Sequence, residues 1–309
     1  MACAHETSAL GVPRDPGISP FVQPYRRGAA LVTHIMDTGR YGRAELHFSR
    51  HGRRTILQRQ YATVPAQIIR PFYEPDDECA YVYLLTPTGG MLGGDRLHIH
   101  IVLEPGAQVC LTTASATKVH PSTDLFAEQS LLIDLGPGSS LEYLPAPTIL
   151  FREACWRQRT LVRRAADSRL LFAEGWSAGR VARQEVFAFS CLETSIEVYI
   201  AERLSLFDRM RIRPASYPYQ HLGLWGHRPH LLTMCLLQAT HPSPTWLQKV
   251  HTELAVNHTL IGLSQLETPG FIARVLAEED EALTHVAQQL WQKIREDLWN
   301  ERWSPWRKL

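Results

Sequence analysis

From about residue 27 to residue 207 the chain is a succession of short runs in which apolar and polar residues alternate, and glycine or proline ends most of them. No other feature constrains the fold as much. The runs fall at 29–35, 42–49, 54–63, 81–85, 96–103, 107–113, 128–135, 140–143, 157–162, 169–174, 183–190 and 194–204. A period of two puts successive side chains on opposite faces, as a strand with one buried face requires. Turn chemistry sits between the runs: Thr38-Gly39, His51-Gly52, Glu104-Pro105-Gly106 and Gly136-Pro137-Gly138. Strand spacings of roughly 10–14 residues predict stacked sheets, a barrel or a solenoid. No repeat of fixed length occurs, so a solenoid would be irregular.

The pattern changes after about Pro214. Residues 231–239 form a nearly continuous apolar run, which predicts a buried strand. Ser243-Pro244 then supplies an N-cap and an N1 proline for a helix that buries Trp246, Leu247, Val250 and Leu254. Residues 259–266 and 271–277 predict a strand pair across Thr268-Pro269-Gly270. In the last helix Leu283, Val286, Leu290, Ile294 and Leu298 recur every three or four residues, behind an acidic start at Glu278, Glu279, Asp280 and Glu281. The end of the chain thus reads β-α-β-β-α, a layer packed against the sheets. Residues 1–25 read as a loose tail. Residues 26–309 read as one domain, with a β-rich part at 26–213 and an α+β part at 214–309.

Composition narrows the function classes. With 309 residues, 45% hydrophobic and 20% charged, a sizeable core is expected. A net charge of +1 provides no overall field toward nucleic acid or an anionic membrane. Six cysteines without a CxxC pair argue against a zinc ribbon and fit a reducing compartment. The tail carries Gly11, Pro13, Pro16, Gly17 and Pro20 and lacks a signal-like apolar segment. No stretch approaches the ~18 apolar residues of a membrane helix. A cytoplasmic protein is expected.

The motif Thr88-Gly89-Gly90-Met91-Leu92-Gly93-Gly94-Asp95-Arg96 lacks the Gly-Lys-Ser/Thr of a phosphate loop, and the following residues alternate like a strand. It predicts a tight connection in which Asp95 binds turn backbone. Ser115 and Lys118 have the S-x-x-K spacing of some acyl-transfer enzymes, without the rest of that machinery. Glu142 stands between apolar residues in Leu141-Glu142-Tyr143, where it faces either solvent or a polar channel. Asp95, Lys118 and Glu142 could converge as an enzyme's polar cluster. Between Arg26 and Arg70 nine arginines face only Asp37 and Glu45, which reads as a protein-docking or solvated basic face, the alternative being an RNA-binding surface whose aromatics are few: Tyr41, Phe48 and Tyr61.

For metals, His98 and His100 share one face of a strand and could chelate one divalent ion. Glu74-Pro75-Asp76-Asp77-Glu78-Cys79 gathers carboxylates beside a thiol, either an acidic loop or a transient stop for a cation.

Several stretches, in order, resemble the urease accessory UreD family, also called UreH. They are Arg70-Pro71-Phe72-Tyr73, Cys79-Ala80-Tyr81-Val82-Tyr83-Leu84-Leu85, Gly89-Gly90-Met91-Leu92-Gly93-Gly94-Asp95-Arg96-Leu97 and Ala116-Thr117-Lys118. Leu141-Glu142-Tyr143-Leu144-Pro145, Gly179-Arg180 with Glu185 six residues after the glycine, and Glu202-Arg203-Leu204 complete the series. The resemblance implies a mainly β protein of stacked, β-helix-like sheets with a helical layer. It implies binding to apo-urease and to UreF and UreG. UreG would be the GTPase, in keeping with the missing phosphate loop here. It also implies a non-enzymatic role in nickel insertion, with Ni(II) as passing cargo and no resident cofactor. A moving divalent ion needs polar walls and weak sites rather than a closed Cys/His cage. Asp76, Glu78, Glu142 and Glu185 are the acidic candidates for such a passage.

Overall fold

The computed structural model describes residues 40–302 apart from 76, 123–124, 222 and 256–257. The strand expected at 29–35 lies outside the described residues. In chain order the elements are β1 (Tyr41–His51), β2 (Arg54–Thr63), β3 (Gln67–Ile68), β4 (Ala80–Leu85), β5 (Arg96–Leu103) and β6 (Gln108–Thr113). Then come β7 (Thr117–Val119), β8 (Ala127–Leu135), β9 (Ser140–Leu144), β10 (Thr148–Leu150), β11 (Cys155–Arg164) and β12 (Arg169–Ser177). β13 (Cys191–Ile200), β14 (Arg203–Ile212), β15 (His230–Leu237), α1 (Pro244–Leu254), β16 (Thr259–Gln265), β17 (Gly270–Ala277) and α2 (Asp280–Lys293) complete the series.

The chain winds between two sheets. The first runs β14-β13-β11-β8-β5-β1-β2, parallel from β13 to β1 with an antiparallel strand at each edge. The second runs β16-β17-β15-β12-β9-β6-β4-β3, with β4, β6, β9 and β12 parallel. β5 leads into β6, β8 into β9 and β11 into β12, so each coil adds a strand to both sheets. The glycine-proline turns set this winding. Gly106 N–H donates to Pro137 O (2.9 Å), and Gly136 N–H to Leu103 O (2.9 Å), stacking one coil's corner on the next. Gly106 and Gly138 hold φ of 72° and 63°, a region that favours glycine.

Two cores result. Between the sheets, Leu46, Phe48, Ile101 and Ile133 meet Val82, Leu111, Tyr143 and Phe172. Beyond the second sheet, Leu171, Met234, Phe271 and Val275 meet Val250, Leu254, Val286 and Leu290 of the helices. The second sheet is therefore covered on both faces, which explains the unbroken apolar run of β15, buried at every residue. Ser243 caps α1 by accepting from Trp246 N–H, as its position beside Pro244 predicts. The expected mainly β, stacked-coil architecture and β-α-β-β-α ending are both present. No described helix is long and apolar enough to cross a membrane.

Two sequence expectations need correction. Residues 183–190 are no strand: they follow a 3₁₀ turn at Val181–Arg183, and Gln184 and Phe187 adopt φ of 59° and 53°. The alternation there comes from a loop that turns Glu185 inward. The last helix does not end as a regular α stripe: it passes into a π turn at Ile294–Leu298 that buries the charged Arg295.

Candidate functional site

β9 places Leu141 and Tyr143 in the core between the sheets, so Glu142 points to the opposite face, under the helices. Parallel register aligns Tyr81, Cys110, Glu142 and Leu171 across four strands. Glu142 is 2% exposed, so the solvated-face reading of this residue gives way to an interior one. α2 and its π turn cover this rung with Trp291, which donates its indole N–H to Glu142 Oε2, and with Arg295, whose Nη2 stands 3.3 Å from Oε1. Arg295 Nη1 also donates to Tyr81 Oη (2.9 Å), and Tyr81 donates on to Asp77 Oδ2 (2.6 Å). Asp77 and Glu301 each lie 3.7 Å from Arg295.

The electrostatics follow from burial. Desolvation pushes the Glu142 carboxyl up to about 7, against the pull of Arg295 and the Trp291 hydrogen bond. The neighbouring Cys79 and Cys110 thiols are pushed far up by burial and then by the Glu142 charge. Burial opposes the Arg295 charge, but Glu142 and the surrounding groups keep its pKa above the ordinary guanidinium value. A surface cavity of about 440 Å³ opens beside this cluster, lined by Glu74, Asp77, Glu78, Gln108, Arg295 and Glu301, among others. Glu78 pairs there with Arg50 (2.5 Å) and Arg53 (3.2 Å), which hold its pKa low.

A second buried acid lies across the sheet. Glu174 of β12 points between the sheets and accepts from Gln158 Nε2 (2.7 Å), while Gln129 donates to Gln158 Oε1 (3.4 Å). Desolvation pushes Glu174 up to about 8. A cavity of about 30 Å³ adjoins it, reached also by Thr113, Thr148 and Trp176. Among the described residues, the buried Trp176 Nε1 has no hydrogen-bond partner.

The candidates read from the sequence fall in several places. Asp76 lies outside the described residues. Glu78 lines the surface cavity, and Glu142 lies next to it only through Arg295, which lines the cavity and pairs with Glu142. Glu185 lies elsewhere: it is 5% exposed, pairs with Arg180 (2.5 Å) and accepts from Arg152 N–H (2.6 Å), and Arg180 holds its pKa low. Gly179 belongs to that loop, where φ is 144° and a Cβ would stand 2.0 Å from Glu185 O. His98 and His100 face outward on β5 with different partners, Ser130 Oγ and Asp134 Oδ2 (2.8 Å). Burial lowers the His98 pKa. Among the described residues, no group of three or more His, Cys, Asp or Glu is arranged to hold a metal ion.

The Gly89–Gly94 segment is a connection into β5. Asp95 Oδ2 accepts from Leu92 N–H (2.8 Å), and Met91 N–H donates to Lys118 O (2.7 Å). A Cβ on Gly90 would meet Lys118 O at 2.4 Å, and one on Gly93 would meet Ser122 Cβ at 2.3 Å. Lys118 itself is exposed. Among the described residues, no hydrogen bond or ion pair joins any two of Asp95, Lys118 and Glu142. In the arginine-rich hairpin Phe48 is core, leaving Tyr41 and Tyr61 exposed, and Arg43 pairs with Glu45.

Sequence reasoning missed Arg295 and Glu174. A signal existed for Glu174, which follows Leu-Leu-Phe-Ala in a strand too apolar to be solvated. Arg295 carried none, because only the π turn brings its side chain inward.

Comparison with known proteins places these features in a family. Residues 40–307 match the family described as UreD urease accessory protein. The chain is 31% identical over 272 residues to the urease accessory protein UreD of Deinococcus radiodurans, covering 84% of this chain and 91% of that one. It is 30% identical over 226 residues to that of Lachnoclostridium phytofermentans, covering 72% and 82%. To the urease accessory protein UreH of Helicobacter pylori strain G27 it is 26% identical over 238 residues, covering 77% and 88%. A family match over most of the length, on a fold in which the buried Glu142 and Glu185 and the Gly89–Asp95 connection fall in the resembling segments, leads to one conclusion: this chain belongs to the UreD family of urease accessory proteins.

Proposed function

We propose that this protein binds apo-urease together with UreF and UreG and assists nickel insertion, giving Ni(II) a polar passage and catalysing no reaction of its own. The observation that carries the reading is the Glu142 rung: an ionisable carboxylate beneath a surface cavity rimmed by Glu74, Asp77 and Glu78. A divalent ion entering an apolar interior would lose its hydration without replacement, at a cost of many kcal/mol. Carboxylates and a hydroxyl in series would replace that hydration in steps. None of the groups named would form a closed thiolate or imidazole cage that stopped the ion. Glu174, with the small cavity of mixed lining beside it, would continue such a route on the other side of the sheet.

The test is urease maturation under scarce nickel, with apo-urease, UreF and UreG co-expressed beside the wild-type chain, Glu142→Gln or Glu78→Leu. Urease that co-purifies normally with each variant but carries less nickel is the expected result. Full nickel content with both variants, in an assembled complex, would overturn the passage. Failure of the wild-type chain to co-purify with apo-urease would overturn the scaffold role.

A further inference from the structure

The outward face of the first sheet is organised in rungs. Arg96, Glu128, Arg157, Glu193 and Arg211 stand in register on five successive strands and pair in sequence, at 3.6, 2.8, 3.0 and 2.6 Å. The neighbouring rung is of different chemistry. Cys155 opens β11, Cys191 opens β13, and the parallel register sets them opposite each other. Each lies two residues before an ion-ladder residue of its strand, and so points to the same outer face. In-register neighbours on adjacent strands lie about 4.8 Å apart, inside the roughly 4.4–6.8 Å Cα window of a disulfide. Cys155 and Cys191 are buried at 8% and 5% exposure, less deeply than Cys79, Cys110 and Cys235 at 2% or less. The Cys191 thiol donates to Glu193 Oε1 (3.8 Å), and Arg213, 3.5 Å from the same carboxylate, draws the thiol pKa down, so a cation as well as an anion faces one thiol of the pair.

We propose that Cys155 and Cys191 are a redox modification site, closing into a reversible disulfide that staples β11 to β13 when the protein meets a peroxide. The Cys191 thiolate attacks one peroxide oxygen; an S–O bond forms, the O–O bond breaks and hydroxide leaves. The Cys155 sulfur then attacks the Cys191 sulfenic sulfur. The S–S bond forms, the S–O bond breaks, and the departing hydroxide takes the Cys155 proton. Two thiols are oxidised by two electrons and hydrogen peroxide is reduced to two waters. Residues opposed across a parallel pair hold their Cβ atoms farther apart than the ~3.8 Å a relaxed disulfide prefers, which makes the bond easy to reduce again. The loop it closes contains β12 and the Arg180–Glu185 segment. Ser190 and Cys191 N–H both donate to Ala154 O at its base (2.9 and 3.2 Å). Burial, and with it the Glu193 carboxylate, raises the Cys191 thiol against the pull of Arg213, so the reaction quickens as pH rises.

The test uses the reduced full-length protein and no partner, and so is independent of any role in urease maturation. After exposure to hydrogen peroxide, remaining thiols are alkylated and the protein is cut with trypsin without reductant. Mass spectrometry is expected to find the peptides 153–157 and 184–203 joined, lighter than their sum by two hydrogens, and separate after dithiothreitol. Cys155→Ser should abolish the joined species and leave Cys191 as a sulfenic or sulfinic acid. Recovery of both wild-type peptides in alkylated form would overturn the proposal. So would either cysteine joined to a different one, or protection of both thiols from alkylation by added Ni(II) or Zn(II) with no link formed under peroxide.

Discussion

Arg295 Nη2 stands 3.3 Å from Glu142 Oε1, with the side chains 2% and 3% exposed, joining the last helical segment to the middle of the second sheet. Two charges so buried gain from each other only while both are present. Replacing Arg295 by methionine leaves the carboxyl without its cation, and we expect a loss of roughly 3–5 kcal/mol in urea unfolding. The double variant Arg295→Met/Glu142→Leu should recover most of that loss. A double variant no better than the single one would contradict a coupled pair.

Glu174 offers a test by pH. Its carboxyl titrates near the usual ~4.3 when unfolded and near 8 when folded. The folded state therefore binds the extra proton between those values, and stability falls as pH rises from about 4 through 8. Glu174→Gln keeps an acceptor for Gln158 and removes the titration. Thermal melts should show the variant gaining on the wild type from pH 5 to pH 9, by on the order of 3 kcal/mol. Parallel pH profiles would refute it.

Glu185 has the opposite sign. Arg180 holds its folded pKa below the ordinary value, so its contribution is present above the unfolded pKa and fades as pH falls through the folded one. Glu185→Ala should cost about 1–3 kcal/mol at pH 7, because Arg152 N–H and Arg180 lose their acceptor. The gap from wild type should narrow in acid denaturation near pH 3; a gap that stays constant would exclude the ionised form as the source.

Gly90 holds φ of 138°, and a Cβ there would press on Lys118 O. Gly90→Ala is expected to destabilise by roughly 2 kcal/mol, through backbone strain and displacement of the Met91–Lys118 hydrogen bond. Gly89→Ala, which has open space and no positive φ, should cost far less. Equal effects in guanidinium titrations would mean the loop relaxes around the added methyl.

The alternating runs and their glycine-proline corners, by themselves, narrowed the plan to stacked sheets, a barrel or a solenoid and placed a helical layer at the end, because local periodicity and turn geometry are properties of neighbouring residues. The acidic run at 74–79, the Leu141-Glu142-Tyr143 stretch and the glycine motif also marked Glu78, Glu142 and the Gly89–Asp95 connection as positions of note. What faces what was decided by tertiary structure alone. Glu142 sits on the same alternating face whether water or a helix covers it, and only the docking of α2 turns a solvated position into a desolvated one. Arg295 joins it because the π turn rotates its side chain inward, a change in helical pitch that no apolar stripe encodes. Residues 183–190 misled for the converse reason: alternation there reflects Glu185 reaching Arg180 across a left-handed turn, a contact that exists only once the loop has closed.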